Sequence, residues 1–164
     1  MPVFYLDTSA IVKSYHTERG SEVVDELLDN PLPQDQFHTS FFTLLEGISA
    51  IERLADSGQL EKALVVSALA RFRRDIRDRF HLWPISNEII AEAASVVGHH
   101  KLRAADAIHL ATALSVALVV PGTQTIMVSS DQRLIRSAQA AGLVVLDPAA
   151  HASLTQLREL RTQV

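Results

Sequence analysis

Short runs in which nearly every residue is apolar alternate along this chain with longer stretches whose apolar positions recur every three or four residues. Pro2 to Leu6 is the first short run and predicts a strand. Asp7, Thr8 and Ser9 then supply capping side chains for a helix reaching about His16. Gly20-Ser21 opens a second helix, closed after Asp29 by Asn30-Pro31, and Gln36 to Thr39 predicts a second short strand. A third helix runs from Ser40 to about Asp56. Gly58 interrupts the pattern, and Gln59 to Phe80 predicts a long fourth helix that forms a hairpin with the third. Beyond it come a strand over His81 to Ile85, a helix from Ser86 to about His100, and another over Ala104 to Leu118. Thr125 to Val128 predicts a strand, followed by a helix ending at Gly142. Leu143 to Leu146 is the last strand, and an Asp147-Pro148 turn leads to a helix over 149–163.

Strands alternating with helices, with no repeat and no low-complexity linker, predict one α/β domain. Its central, mostly parallel sheet is flanked by helices and connected by right-handed crossovers. In such sheets reactive groups gather beyond the carboxyl ends of the strands, where the strand order reverses. Asp7 and Asp131 both stand at strand ends.

Composition narrows the chemistry. The chain has 164 residues, 48% hydrophobic and 21% charged, which suits one domain able to bury its own core without a disulfide or structural metal. The absence of cysteine excludes zinc fingers, iron–sulfur clusters and thiol nucleophiles, and fits a reducing, cytoplasmic setting. The opening residues do not read as a secretory signal, and the longest apolar run, Leu114 to Val120, is too short to span a bilayer. A net charge of −4 means that nucleic acid would have to be held by a local basic patch or through a metal. Neither GxGxxG nor GxxxxGK[ST] is present, so nucleotide-cradling loops are unsupported.

Four carboxylates stand out. Asp7 and Asp131 each have a plain alternative role as helix caps, and Asp106 as an acid favoured by the helix dipole. Glu46 interrupts FFTLLEGISAI, apolar on nearly every side, where an unpaired charge would cost several kcal/mol; Arg53, two turns on, is poorly placed to pair with it. If the four converge to about 5 Å, each pair repels by roughly 3 kcal/mol at an effective dielectric constant of about 20. A hard divalent cation would relieve that repulsion. An all-oxygen set suits Mg²⁺ or Mn²⁺, and such a cation implies metal-assisted phosphodiester hydrolysis.

The stretches FYLDTSAIVKSY, TLLEGISAIERL, LRAADAIHLATAL and MVSSDQRLIRSAQAAGLVVLDP, in this order and spacing, resemble PIN-domain proteins of the VapC toxin type over nearly the whole chain. The resemblance assigns residues 1–148 to a PIN domain and 149–164 to a helical extension of it. It places that family's acidic quartet on Asp7, Glu46, Asp106 and Asp131. Ser9 matches the hydroxyl that supports the first aspartate, and Ser129 stands where threonine is more common. It implies a Mg²⁺- or Mn²⁺-dependent endoribonuclease, usually a homodimer, held inactive by a cognate VapB-type antitoxin. Asp7, Glu46 and Asp106 would hold the principal metal, and Asp131 would complete that site or a second one.

Other features have competing readings. Arg71, Arg73, Arg74, Arg77 and Arg79 form a stripe that could meet RNA phosphates, with Arg73 and Arg77 as candidates. The simpler reading is a solvated face of Arg–Asp pairs. Lys13 and Arg19 are further candidates for phosphate contact. His109, one turn beyond Asp106, reads as a packed core histidine whose spacing also points it towards the site. His99, His100 and Lys101 read as groups satisfying a helix C-terminus, and Trp83 as a buried strand residue. The hairpin at 40–80 and SLTQLRELRT are amphipathic surfaces suited to a dimer or an antitoxin helix. A haloacid-dehalogenase-like phosphatase would need an aspartate where Ser9 stands, and a receiver domain needs an acidic pair and a late lysine. The remaining alternative is a non-catalytic PIN-fold module that binds RNA or protein.

Overall fold

A computed structural model describes residues 1–120 and 122–162. Its centre is a five-stranded, wholly parallel sheet in the order β3-β2-β1-β4-β5: β1 is Pro2–Leu6, β2 Gln36–Ser40, β3 His81–Trp83, β4 Gln124–Val128 and β5 Val144–Leu146. Among the described residues eight α-helices flank it: α1 Thr8–Ile11, α2 Ser21–Asp29, α3 Phe42–Asp56, α4 Val65–Arg79, α5 Asn87–His100, α6 Ala104–Val119, α7 Gln132–Ala140 and α8 Ser153–Thr162. The order β3-β2-β1-β4-β5 reverses direction at the β1–β4 boundary, so Asp7 and Asp131 flank the switch point.

The all-apolar run of β1 is what a strand covered on both faces requires. Phe4 and Leu6 point into one core with α2, α3, α4 and α8; Val3 and Tyr5 point into the other with α5, α6 and α7. Both layers rest on the same five residues, all buried.

Several boundaries differ from the sequence expectation. The helix after Asp7 stops at Ile11, and a single 3₁₀ turn over Val12–Ser14 carries the chain on, ending short of His16. The third helix starts at Phe42 because Ser40 still belongs to the sheet, opposite Trp83. The fourth starts at Val65. Gln59 and Leu60 both donate to the Leu54 carbonyl, which folds the chain back after Gly58, and a 3₁₀ turn at Lys62–Leu64 precedes the α-helix. β3 ends at Trp83, before Pro84, which cannot donate to a ladder. The last helix begins at Ser153, whose hydroxyl donates to the carbonyls of Asp147 and Ala150; residue 163, the end of the expected helix, lies outside the described residues.

The α3–α4 hairpin forms as expected, closed where Gly47 lies directly against the Phe72 ring. Among the described residues no single helix is long and apolar enough to cross a membrane.

Candidate active site

Asp7, Glu46, Asp106 and Asp131 line one cleft of about 540 Å³ at the carboxyl ends of β1 and β4. Each arrives from a different element: the β1–α1 junction, α3, the first turn of α6 and the cap of α7.

Asp7 caps α1, accepting from the Ala10 amide at 2.9 Å. It also accepts from the Ser9 hydroxyl at 2.8 and 2.9 Å and from the Ser129 hydroxyl at 2.8 Å. The Ser9 and Ser129 hydroxyls thus both hold the Asp7 carboxylate. Burial nonetheless raises its pKa above the usual aspartate value, against the pull of His109 and these donors. Asp106 is raised as well, by burial first and then by the charges of Asp131 and Asp7. Asp131 caps α7 through Oδ1, which accepts the amides of Arg133 and Leu134.

Glu46 is not left uncompensated. Its Oε2 accepts from Thr8 Oγ1 at 2.7 Å and lies 2.7 Å from His109 Nε2. Burial pushes its pKa up, but the hydrogen bond and charge of His109, helped by Thr8 and Arg53, outweigh that and hold it below the ordinary glutamate value. His109 is therefore both things its spacing suggested: buried, and part of the cleft lining. A carboxylate only accepts, so Nε2 donates to Glu46, while Nδ1 lies within hydrogen-bond distance of the Tyr5 hydroxyl, at 3.0 Å.

The other candidates stand elsewhere. Lys13 is buried and committed to the Arg19 carbonyl at 3.0 Å and to Glu18 at 3.3 Å, and neither it nor Arg19 lines the cleft. The stripe on α4 is largely paired: Arg71, Arg74 and Arg79 meet the buried Asp75 and Arg77 meets Asp78, while Arg73 has no acid within salt-bridge distance among the described residues. Arg73 and Arg77 lie outside the cleft. The basic residues that do line it, Arg53 and Arg103, were not among the candidates. Trp83 is half-buried rather than buried, its Nε1 donating to His38 Nδ1 at 2.9 Å.

The donor set fits a hard divalent cation. Glu46 Oε1, Asp131 Oδ2 and both Asp106 oxygens have no hydrogen-bond partner among the described residues, and the charges of Asp131, Asp7 and Glu46 all raise the pKa of Asp106. As they stand, no three His, Asp or Glu side chains among the described residues are gathered closely enough to hold an ion, so gripping one requires side-chain movement.

Fold and site together define a parallel α/β domain with an acidic cleft at its switch point. The chain matches the PIN domain family over residues 4–139 and belongs to it. Within that family it belongs with the ribonucleases VapC. It is 34% identical to Ribonuclease VapC35 of Mycobacterium tuberculosis (strain ATCC 25618 / H37Rv) over 146 residues, covering 89% of this chain and 97% of that protein. It is also 34% identical to Ribonuclease VapC49 of the same strain over 158 residues, covering 90% and 100%. Among solved structures it resembles PAE2754 from Pyrobaculum aerophilum, with a TM-score of 0.63 and 17% identity over 98% of this chain and 96% of that one. It also resembles a toxin-antitoxin complex from Klebsiella pneumoniae, with a TM-score of 0.58 and 19% identity over 88% and 96%. At these identities the structures bear on the fold alone.

Proposed function

We propose that this chain is a divalent-metal-dependent endoribonuclease that hydrolyses RNA phosphodiester bonds, acts as a toxin, and is held inactive by a VapB-type antitoxin. One observation carries the chemical part: four carboxylates from four elements line a single cleft, with Asp7 and Asp106 both raised in pKa by burial and Asp106 further by its acidic neighbours. Such a set is costly without a cation. The kinship with named VapC ribonucleases supports the substrate class, and the antitoxin partner rests on the same family resemblance.

In this reading Asp7, Glu46 and Asp106 hold Mg²⁺ or Mn²⁺, and Asp131 completes that site or a second one. Bound there, the cation supplies an activated water and charge stabilisation on the phosphoryl oxygens. The chain's own residues position and charge the site. Ser9 and Ser129 fix the Asp7 carboxylate, and Thr8 and His109 fix Glu46. Arg53 and Arg103 bring positive charge into the cleft for a phosphate. No nucleophilic side chain is required. The family resemblance extends this reading to a homodimer.

The test is cleavage of total and structured RNA by antitoxin-free protein in Mg²⁺, Mn²⁺ or EDTA, beside Asp7→Asn and Asp106→Asn. Cutting that needs metal and both aspartates supports the nuclease. The competing reading, a module that binds without cutting, draws on the absence of a three-ligand cluster among the described residues. Metal-independent RNA binding with no cutting under any condition would favour it.

A further inference from the structure

We infer that the groove between the C-terminus of α5 and the face of α7 is a binding track for the RNA sugar-phosphate backbone, leading out of the acidic cleft; this rests on the nuclease reading above. The groove, about 550 Å³, is lined by His99, His100, Lys101, Arg133, Arg136 and Ser137, and contains no acidic residue. In a chain of net charge −4, that is a concentrated positive surface.

Its position follows from chain continuity. Arg103 and Asp131 line the acidic cleft, while Lys101 and Arg133 line the groove. Residues two apart lie within about 7 Å of each other along the backbone, so segments 101–103 and 131–133 form a shared rim. A strand whose scissile phosphate sits among the carboxylates has its next phosphates over this rim.

The cations of this groove lack internal partners. Among the described residues Lys13, Arg71, Arg74, Arg77, Arg79 and Arg161 each have an acid within salt-bridge distance. Lys101, Arg133 and Arg136 have none, and neither do Arg19, Arg53, Lys62, Arg73, Arg103 and Arg158, so what sets the groove apart is that three such cations share one acid-free lining. The satisfaction of a helix C-terminus accounts for His99, whose Nδ1 donates to the Ser95 carbonyl at 2.8 Å. It does not account for Arg133, which stands in the first turn of α7, where the helix dipole disfavours a cation. A positive charge placed against the dipole, exposed and unpaired, is what an external polyanion would stabilise.

The test measures binding of a labelled, mixed-sequence single-stranded RNA to the full chain carrying Asp7→Asn, in EDTA, across a salt series. Against that background Arg133→Ala/Arg136→Ala is compared with Lys62→Ala/Arg158→Ala, which removes the same charge from exposed positions outside both clefts. Each backbone contact to a single strand contributes about 0.7 to the log–log salt slope. The groove variant should lose about 1.4 from the slope and bind about 25-fold more weakly at about 0.1 M salt, while the control stays near the parent. Equal losses in both variants, or an unchanged slope in the groove variant of a protein that does bind RNA, overturn the track and leave the nuclease standing. Thermal unfolding of each variant excludes misfolding as the cause. A parent chain that neither binds nor cuts RNA removes the nuclease reading, and the track falls with it.

Discussion

His109 Nε2 stands 2.7 Å from Glu46 Oε2, joining α6 to α3 across 63 residues of sequence, and its other nitrogen lies 3.0 Å from the hydroxyl of the fully buried Tyr5. One imidazole thus ties the central strand to a carboxylate of the cleft. His109→Leu keeps most of the volume but removes the Tyr5 hydroxyl's partner at 3.0 Å and the donor to Glu46. Leaving such groups unpaired costs about 1–3 kcal/mol. Chemical denaturation should show that loss, with Tyr5→Phe costing less because it removes only one bond. A His109→Leu protein as stable as the parent would mean that the relay contributes nothing.

Asp106 behaves in the opposite sense to Glu46. A carboxyl whose pKa is raised on folding favours the fold while protonated, and that contribution is lost as pH rises through its folded value. At neutral pH without metal, Asp106→Asn should therefore raise Tm, the gain shrinking as pH falls towards the ordinary aspartate value. Divalent metal should reverse the order. At about 100 times its Kd it would stabilise the parent by about 2.7 kcal/mol, and most of that is lost in Asp106→Asn. Thermal scans in EDTA and in a Mn²⁺ series check both halves; a parent indifferent to metal would remove the cation from the site.

Much of this was legible in the sequence, for local reasons. β1 reads as doubly buried because five consecutive residues are apolar or proline, and Asp7 reads as its terminus because capping side chains follow. Glu46 drew notice because a charge interrupted an apolar helix. Its partner did not, because 63 residues separate it from His109 and only the sheet brings α6 beside α3. The same limit applies to the arginines of α4. What organises three of them is Asp75, buried beneath Tyr15, whose hydroxyl donates to it at 2.8 Å from 60 residues away. Lys13 looked free because Glu18 and Arg19 meet it only once the chain has folded back after the 3₁₀ turn at Val12–Ser14.

His38 gives the chain a pH dependence away from the cleft. Its ring accepts from Trp83 and lies 4.8 Å, centroid to centroid, from that of His81. Burial, and then the proximity of His81, lower its pKa to about 4. An unfolded histidine takes its proton near 6.5, so stability present above that value falls as pH drops towards about 4, by on the order of 2 kcal/mol. Urea midpoints between these limits should trace the loss, and His38→Gln, which can still accept from Trp83, should flatten it.

Gly47 is set by the hairpin rather than by its own helix. In an exposed helix, alanine in place of glycine gains up to about 1 kcal/mol. Here a methyl group would run into the ring of Phe72, fully buried and held edge-on against Tyr15. Overpacking of this kind costs about 1–3 kcal/mol, so Gly47→Ala should be net destabilising. Because Glu46 is its neighbour in α3, metal-dependent stabilisation should weaken too. A stabilised Gly47→Ala would mean that the hairpin yields more easily than its packing implies.

Arg161 fastens α8 to the rest of the domain. Its Nη2 and Nε donate to Asp35 Oδ2 at 2.7 and 3.0 Å, and both side chains are almost wholly buried. Nη2 also reaches the carbonyls of Leu27 and Asn30, at the end of α2. Breaking a buried pair leaves the surviving charge uncompensated, and Arg161→Ala should cost about 3–5 kcal/mol. An apolar replacement of both partners should cost far less, since the attraction between buried charges is largely offset by their desolvation. Arg161→Met/Asp35→Leu should therefore recover most of the stability lost in Arg161→Met. Equal losses in single and double variants would show that the backbone contacts of Arg161, rather than its charge pair, hold the C-terminal helix in place.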